Sequence, residues 1–374
     1  MKRILLVGGG SGGHVFPLIA VANSLRERSR QDGIELELQL WGDGDFAKLA
    51  AQRANIPFRP LIASKLRRYF SFLNFIDAFK LIPSFFQSMW LMFWYMPDAV
   101  FSKGGYAAVM PAIAAKIHSV PVFTHESDST PGLANRIIGR LADKIFISFE
   151  SSLPYYKRSK TEVVGNPIMK ELAGGDRLAA LNLFNLSPER KTILVLGGSQ
   201  GARRINEAIL ESIVQLTQKY QIIHQAGGSQ FKKMGEEIEK YKAENEAGYG
   251  QQIAASYRLY SFLDMEQMKS AYAAADVIIA RGGAGLLFEI ALIGKPAIII
   301  PLSLDSSRGD QIANAAEFAK YGASIIEESN LTPHMILNRI EFILKPENYS
   351  VISEKIRSFA KPDAADIIAS KLLS

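Results

Sequence analysis

A glycine-rich segment near the start of the chain has the composition of an anion-binding loop. It spans residues 8–14 with the sequence GGGSGGH and follows the apolar run at 4–7. Glycines let a ligand approach the backbone closely, and the amides of a following helix can face a phosphate or sugar oxygen. The spacing also satisfies G-x-G-x-x-G, the motif of dinucleotide-binding sites. In such a site an acidic residue at the end of the second strand binds the ribose, and the candidates here, Glu35 and Glu37, do not clearly lie at a strand end. The pattern therefore predicts anion binding without specifying a nicotinamide cofactor.

A second loop of this kind occurs in the second half of the chain. The sequence GGSQGAR at 197–203 again lies between an apolar run and a helix-like stretch. Two such loops indicate two substrates, at least one of them phosphorylated. Neither loop is a Walker A motif, because no Gly-Lys-Ser/Thr follows at the required spacing, and ATP hydrolysis is disfavoured.

A third loop, RGGAG at 281–285, precedes a helical stretch that carries Glu289. This carboxylate could be a partner of the helix dipole, or its two oxygens could accept both hydroxyls of a ribose. Asp310, Gln311 and Asn314 follow a later apolar run. They could be ordinary residues of a helix N-terminus or polar contacts to a sugar.

One short acidic motif could hold a metal ion. The sequence Asp43-Gly44-Asp45 has the D-x-D spacing that metal-dependent sugar transferases use to hold a cation on a nucleotide diphosphate. Glycine between two aspartates is also ordinary turn chemistry. We expect the turn, and therefore neither a metal nor another cofactor.

Length and composition limit the class of protein. The chain has 374 residues, which favours two domains, and its 48% hydrophobic and 21% charged residues are typical of a globular enzyme. It contains no cysteine and shows no secretion signal, so we expect a cytoplasmic location. The net charge of +6 favours an anionic partner, which charge alone does not identify.

Apolar runs alternate with helix-like stretches in both halves, as expected for βαβ units around parallel sheets. Predicted strands lie at 4–7, 36–41, 99–102, 120–123 and 145–148, then at 192–196, 221–224, 257–262, 277–280 and 297–301. Asn-Pro after Gly165 indicates a boundary. We predict domains at 1–165 and 166–348, meeting across a cleft, and a C-terminal helix at 349–374 that caps the domains or crosses back to the first.

The segment at 61–95 departs from this globular pattern because it is rich in phenylalanine and tryptophan behind a basic cluster. Its longest charge-free stretch, 81–97, is short for a membrane span. It could form core helices or an interfacial patch whose aromatics enter lipid. We expect the patch, formed by Lys65, Arg67, Arg68, Phe72, Phe75, Trp90 and Trp94.

Several segments, taken in order, resemble the MurG family, the transferases that convert lipid I to lipid II with UDP-N-acetylglucosamine. They are GGGSGGHVFP, KGGYAAVMPAIAA, HESDSTPGLANR, VVGNP, LVLGGSQGARRIN, SFLDM, RGGAGLLFEIALIGKPAIIIP and DQIANA, and they cover nearly the whole chain. The resemblance implies a GT-B fold of two facing Rossmann-like, doubly wound parallel-sheet domains. It also implies UDP-GlcNAc, lipid I and an anionic cytoplasmic membrane surface as partners, rather than nucleic acid.

Site residues follow from the resemblance by position. The implied donor-binding set is Ser11, Gly12, Gly13, Asp128, Ser199, Leu263, Ala284, Gly285, Leu286, Leu287, Phe288, Glu289 and Gln311. Tyr106 and Asn135 fall on the acceptor side. The chain departs from the family where Asp128 replaces an asparagine and Met169 replaces a donor-binding arginine.

The implied reaction is an inverting displacement, in which an acceptor hydroxyl attacks the anomeric carbon as UDP departs. A general base must take the hydroxyl proton. His14 is the first candidate because its unperturbed pKa lies near the operating pH, and Glu126 is the other. Alternatively, His14 only orients a loop or binds acceptor phosphate. The alternatives for the whole protein are a transferase with another UDP-sugar or lipid acceptor and an impaired nucleotide-sugar-binding protein.

Overall fold

Two parallel sheets organise the chain, one in each of two structural units. The computed structural model describes residues 1–10, 12–62, 80–197, 202–244, 246–304 and 309–374, without the side chain of Ala247. The first unit comprises Met1–Ile168 and Lys361–Ser374, and the second comprises Met169–Ala360. The sequence places the first boundary at residue 165 and treats 349–374 as one segment. In the structure, residues 349–360 belong to the second unit and 361–374 to the first.

The first unit contains a seven-stranded parallel sheet in the order β3-β2-β1-β4-β5-β6-β7. Its strands are β1 (Lys2–Val7), β2 (Leu36–Gly42), β3 (Phe58–Pro60), β4 (Ala99–Ser102), β5 (Val122–Glu126), β6 (Lys144–Ile147) and β7 (Thr161–Val163). The helices among the described residues of this unit are α1 (Gly12–Gln31), α2 (Asp45–Arg53), α3 (Leu81–Tyr95), α4 (Val109–Ile117), α5 (Leu133–Leu141) and α16 (Ala364–Leu373). Short 3-10 turns cover Tyr106–Ala108, Glu150–Tyr155 and Arg158–Lys160.

The second unit contains a six-stranded parallel sheet in the order β10-β9-β8-β11-β12-β13. Its strands are β8 (Thr192–Leu196), β9 (Gln221–Gln225), β10 (Tyr257–Tyr260), β11 (Val277–Ala280), β12 (Ala297–Ile299) and β13 (Ser324–Ile325). Its longer helices are α6 (Arg177–Leu183), α7 (Arg203–Glu211), α8 (Ile213–Lys219), α9 (Gly228–Glu244), α10 (Gln251–Ser256), α11 (Met265–Ala274), α12 (Ala284–Ile293), α13 (Asp310–Ala319), α14 (Pro333–Leu344) and α15 (Pro346–Ser358). Shorter helical turns cover Lys170–Ala173, Glu246–Gly250 and Glu328–Asn330.

Both sheets have central strands that are buried on both faces. The last four residues of β1, all of β4, all of β8 and all of β11 are buried, and they are mostly valine, isoleucine, leucine and alanine. Such uninterrupted apolar strands are typical of parallel sheets covered by helices on each side. The predicted fold class, two doubly wound parallel-sheet domains, is confirmed.

The strand order fixes where ligands can bind in each unit. The chain adds strands outward on one side of the first strand and then returns to add the fourth strand on its other side. Ligands of such sheets bind beyond the carboxyl ends of the strands at this switch point. It lies between β1 and β4 in the first unit and between β8 and β11 in the second.

Candidate functional site

The loop after β1 is held against the end of β2. A Cβ added to Gly9 would lie 2.3 Å from Asp43 Oδ1, and Gly10 has a φ of +86°. The Gly10 amide donates to the Asp43 carbonyl over 3.3 Å. Only glycine fits this close approach without moving the neighbouring loop. Gly12 and Gly13 then begin α1, with Gly12 buried and Gly13 exposed, while Ser11 lies outside the described residues.

The acidic motif beside this loop supports the glycine turn. Asp43 contacts the first glycine loop through its backbone, and Asp45 begins α2. Within the described part of the chain, no group of three or more histidine, aspartate or glutamate side chains is arranged to hold a metal ion.

His14 lies in the first turn of α1 and is half-buried. Its Nδ1 is 3.2 Å from the backbone oxygen of Lys103, which follows β4. Since a carbonyl oxygen can only accept, Nδ1 carries the proton and Nε2 keeps its lone pair. Burial, followed by the Lys103 ammonium, lowers the pKa of His14 to about 4. The imidazole is therefore neutral at physiological pH, in the tautomer that a general base needs.

Lys103 is almost fully buried and connects three segments of the first unit. Its Nζ donates to His125 Nδ1 over 2.8 Å, to Asn166 Oδ1 over 3.3 Å and to Ser127 Oγ. His125 donates from Nε2 to the Gly165 carbonyl over 2.8 Å, which leaves Nδ1 as the acceptor. Burial lowers the pKa of Lys103 to about 8, against the opposing effect of nearby carboxylates. One ammonium thus joins the residues that follow β4, β5 and β7.

Glu126 ends β5 and is 3% exposed. Its Oε1 accepts from the Asp128 amide over 3.0 Å, and its Oε2 accepts from Asn135 Nδ2 over 2.9 Å and from the Tyr156 hydroxyl over 3.4 Å. Burial, reinforced by the Asp128 carboxylate, raises the pKa of Glu126 to about 7. Because both oxygens accept hydrogen bonds inside the protein, Glu126 holds the turn after β5. The base role that the sequence offers for it stays a prediction.

The predicted acceptor-side residues lie on different levels of the first unit. Asn135 is 6% exposed and donates to Glu126, so it supports the turn after β5 from inside the protein. Tyr106 lies in the 3-10 turn after β4 and is half-buried, and Asp128, which is predicted on the donor side, is half-buried as well. Tyr106 and Asp128 are therefore better placed to meet a ligand than Asn135.

The predicted donor loop of the second unit lies at the N-terminus of α12. The helix begins at Ala284, after β11 and the three-residue connection Arg281-Gly282-Gly283, and the amides of its first turn have no partner within the helix. Such amides favour an anion. Ala284, Leu287 and Phe288 are buried, whereas Gly285, Leu286 and Glu289 are half-buried. Leu287 and Phe288, predicted as donor contacts, are core side chains that fix the helix.

Glu289 is the sixth residue of α12, beyond the first turn in which the helix dipole acts strongly. Its Oε2 accepts from the hydroxyl of Tyr272, a fully buried residue of α11, over 2.7 Å. Burial raises the pKa of Glu289 to about 7, and the Tyr272 hydrogen bond opposes this rise. The position disfavours the dipole interpretation of this carboxylate.

Other predicted residues of the second unit already have internal partners. Arg281 donates to Glu328 Oε1 over 2.6 Å and to the Ile300 carbonyl over 3.1 Å, which fixes the loop after β11. The Leu263 amide donates to a glutamine side chain, Gln225, over 2.9 Å. Gln311 Oε1 accepts from the Leu302 amide over 3.2 Å, which leaves its side-chain NH₂ for a ligand. Ser199 lies outside the described residues.

Helix α3 carries an aromatic surface. Its buried residues are Ser84, Ser88, Met92 and Tyr95. Its exposed aromatic residues, which we call the α3 aromatic face, are 60–66% exposed and comprise Phe86, Trp90, Phe93 and Trp94. The remaining predicted patch residues, Lys65, Arg67, Arg68, Phe72 and Phe75, lie outside the described residues. No helix in the described ranges is both long and apolar enough to cross a bilayer.

Sequence reasoning missed three residues that hold the site together: Lys103, Asn166 and Tyr272. Lys103 and Asn166 lie in the motifs KGGY and GNP, directly after strand regions, where a polar residue can face either solvent or the interior. The available signal for Lys103 is that this lysine directly follows a strand that is wholly buried. Tyr272 lies in a helix rich in alanine, and its sequence context gives no sign of a partner on another helix.

Comparison with known proteins gives matches along most of the chain. Residues 4–147 match the model of the glycosyltransferase family 28 N-terminal domain, and residues 192–369 match that of its C-terminal domain. Two relatives are named UDP-N-acetylglucosamine–N-acetylmuramyl-(pentapeptide) pyrophosphoryl-undecaprenol N-acetylglucosamine transferase. That of Clostridium kluyveri is 35% identical over 370 residues, covering 98% of each chain. That of Shouchella clausii is 37% identical over 349 residues, covering 91% of this chain and 90% of its own.

Solved structures share the fold. Acinetobacter baumannii MurG aligns with a TM-score of 0.72 at 24% identity, covering 100% of this chain and 99% of its own. S. aureus MnaA in complex with UDP aligns with a TM-score of 0.69 at 14% identity, covering 98% of this chain and 95% of its own. Identities this low support the fold and carry no assignment of substrate.

Proposed function

Because the chain belongs to glycosyltransferase family 28, we propose that it transfers N-acetylglucosamine from UDP-N-acetylglucosamine to N-acetylmuramyl-pentapeptide carried on undecaprenyl pyrophosphate. The observation that carries this proposal is the similarity to relatives named for that reaction, at 35% and 37% identity over more than nine-tenths of the chain. The product would be the disaccharide-bearing lipid used to build peptidoglycan.

The proposed mechanism is an inverting displacement at the anomeric carbon of the donor sugar. An acceptor hydroxyl forms the new C–O bond while the bond to the UDP oxygen breaks, and the hydroxyl proton passes to His14 Nε2. The Lys103 carbonyl supports this role because it holds the other ring nitrogen as the donor. Departing UDP carries the negative charge, which the first-turn amides of α12 would stabilise.

The donor nucleotide would bind to the second unit. Glu289 would accept the ribose hydroxyls, the backbone around Leu263 would hold the uracil, and the NH₂ group of Gln311 would contact the sugar. The half-burial of Glu289 supports this because a ligand can reach the carboxylate while the surrounding protein excludes much of the water. The acceptor would bind to the first unit near His14 and Tyr106.

We further propose that the protein associates peripherally with an anionic membrane surface through the α3 aromatic face. Tryptophan and phenylalanine are the residues that enter the headgroup region of a bilayer. In this helix the buried side includes two serines while the large rings face outward, the reverse of an ordinary core helix. Lys65, Arg67 and Arg68 precede the helix in sequence and would add attraction to anionic lipid.

A transfer assay tests the proposed reaction. Purified protein is mixed with radiolabelled UDP-N-acetylglucosamine and a lipid-linked muramyl-pentapeptide acceptor, and label in the lipid product is measured. Parallel reactions use UDP-glucose, UDP-galactose and a diacylglycerol acceptor. We expect label only with the first donor and the muramyl acceptor. Preferred transfer from another donor or to another lipid would replace the substrate assignment, and UDP binding without any turnover would favour a nucleotide-sugar-binding protein.

A further inference from the structure

Two helices of the second unit meet through one hydrogen bond between polar side chains. Tyr272 lies in the last turn of α11, and Glu289 lies in the second turn of α12. The Tyr272 hydroxyl is 2.7 Å from Glu289 Oε2. The tyrosine is fully buried, so packing fixes its ring, whereas the glutamate is half-buried and accessible. The contact therefore joins a fixed donor to a carboxylate that a ligand can reach.

We propose that Tyr272 is a positioning residue for the donor nucleoside: its hydroxyl holds Glu289 so that the remaining lone pairs of the carboxylate accept the ribose hydroxyls. This inference rests on the proposed function, because it assumes that a UDP-sugar is the ligand. A carboxylate offers about four acceptor positions, of which Tyr272 uses one. In the described part of the chain, Glu289 has no other hydrogen-bond partner.

The same hydrogen bond controls the charge of Glu289. Burial raises the pKa of the carboxylate to about 7, and the Tyr272 hydroxyl opposes the rise. The phenol remains a donor, because burial and the neighbouring carboxylate raise the pKa of Tyr272 well above its usual value. Helix α12 also packs against Lys170–Ala173, α13 and α15, and no charged group described on these elements shifts the Glu289 pKa. Tyr272 thus favours the ionised form of Glu289 near neutral pH.

Losing this hydrogen bond has a defined effect on nucleotide binding. In Tyr272→Phe the ring remains, but the pKa of Glu289 rises further and the carboxylate is no longer held. A protonated carboxyl group accepts hydrogen bonds less well than an ionised one. We expect UDP affinity near pH 7 to fall roughly tenfold, the effect of weakening one hydrogen bond to a charged group. Most of this loss should disappear at higher pH, where Glu289 ionises without help.

The experiment is calorimetric titration with UDP between about pH 6 and about pH 8.5, a range that brackets the carboxylate ionisation. It compares the wild type, Tyr272→Phe and a control, Tyr257→Phe. Tyr257 is also buried in the second unit, but its hydroxyl contacts His224 over 2.6 Å rather than Glu289. We expect the pH at which UDP affinity falls to move upward in Tyr272→Phe only. The wild type should also prefer UDP over 2′-deoxy-UDP, and Tyr272→Phe should reduce this preference.

Four results would overturn the inference. Unchanged affinity and an unchanged pH profile in Tyr272→Phe would show that its hydroxyl has no part in binding. An equal loss at every pH, shared by Tyr257→Phe, would indicate general destabilisation of the unit. If the wild type binds UDP, and Glu289→Gln weakens UDP binding while Tyr272→Phe leaves it unchanged, the inference fails but the proposed function does not. If the wild type does not bind UDP at all, the proposed function fails with it.

Discussion

His14 is held in one tautomer by the Lys103 carbonyl, and a substitution at this residue can separate the two roles that the sequence leaves open. In His14→Asn the side-chain NH₂ can still donate to that carbonyl, but the Nε2 lone pair is lost. We expect turnover to fall roughly 100- to 10,000-fold, the usual contribution of a general base. UDP affinity, measured by calorimetry, should remain within twofold of the wild type, since the proposed donor site lies in the second unit.

A matched control for this variant is His118→Asn. His118 also lies in the first unit, and its Nδ1 also contacts a backbone oxygen, that of Ala114 over 2.9 Å. It follows α4, away from the loops at the switch point. The control should retain turnover. Retained turnover in His14→Asn would instead mean that His14 only orients the loop.

The buried ammonium of Lys103 predicts a dependence of stability on pH. Its pKa is lowered from 10.5 to about 8 in the folded protein. Between these values the unfolded chain binds more protons, so the free energy of unfolding of the wild type rises with pH across that interval. Lys103→Met lacks this titration and leaves His125 and Asn166 without their donor. We expect it to lower the free energy of unfolding at pH 7 by about 1–3 kcal/mol.

Urea unfolding at several pH values measures this effect. The stability of the wild type should increase relative to Lys103→Met from about pH 8 upward. Lys116→Met is the control, because Lys116 is a partly exposed residue of the same unit that pairs with Asp143. It should change stability by less than about 1 kcal/mol. A constant difference between wild type and Lys103→Met at all pH values would contradict the assignment of this titration.

Residue types and their spacing identify the loops of the candidate site but not the contacts within them. Glycine loops, His14 and Glu289 follow from residue type, because each chemistry demands particular groups at particular spacings. The engagement of Glu126 could not be foreseen, because Asn135 and Tyr156 reach it only after α5 and the segment before β7 have packed. The Tyr272–Glu289 contact likewise depends on the approach of two helices.

At the scale of elements, the α3 aromatic face should bind membranes without supporting the core, which α3 contacts through buried residues such as Met92 and Tyr95. Replacing Trp90 and Trp94 by serine should leave the melting temperature nearly unchanged, since both side chains are about two-thirds exposed. Binding to anionic vesicles should weaken by roughly tenfold or more, because the variant buries fewer apolar rings in lipid. Added salt should alter this loss little, since it is apolar in origin. Vesicle flotation and thermal melts measure the two effects.

The control for this element is Phe342→Ser. Phe342 is 49% exposed on α14 of the second unit, so it tests whether any exposed ring contributes to flotation. It should float like the wild type. Wild-type protein that never floats would exclude the membrane proposal, and unfolding of the tryptophan variant would show that Trp90 and Trp94 support the core.

Ten predicted strands agree with the structure, because each is a short apolar run between turn residues. The sequence does not reveal β3, β7 and β13, which have two or three residues each and are all sheet edges. Edge strands this short have too few residues to show a regular pattern of apolar residues, and β3 includes a proline. Their pairing comes from the neighbouring strand rather than from their own composition.

At the scale of the whole molecule, α16 belongs to the first unit although its sequence follows the second. It packs on α1, and Ile368 is fully buried. Ile368→Ala should lower the stability of the first unit by about 2–5 kcal/mol through the cavity it leaves. Hydrogen exchange should rise mainly in residues 1–168. Ile367→Ala, at a half-buried position of the same helix, should have a smaller effect, and equal exchange in both variants would contradict this role of α16.

The return of the chain to its first unit affects the order in which the protein can mature on the ribosome. Residues 1–168 are synthesised first, but the helix that completes their unit emerges only after residues 169–360. The α16-binding side of α1 therefore stays uncovered in the nascent first unit while the entire second unit is translated. Exposed apolar surface of this kind is a target for chaperones and a risk for aggregation. The late helix thereby couples completion of the proposed acceptor-binding unit to prior synthesis of the unit proposed to bind the donor.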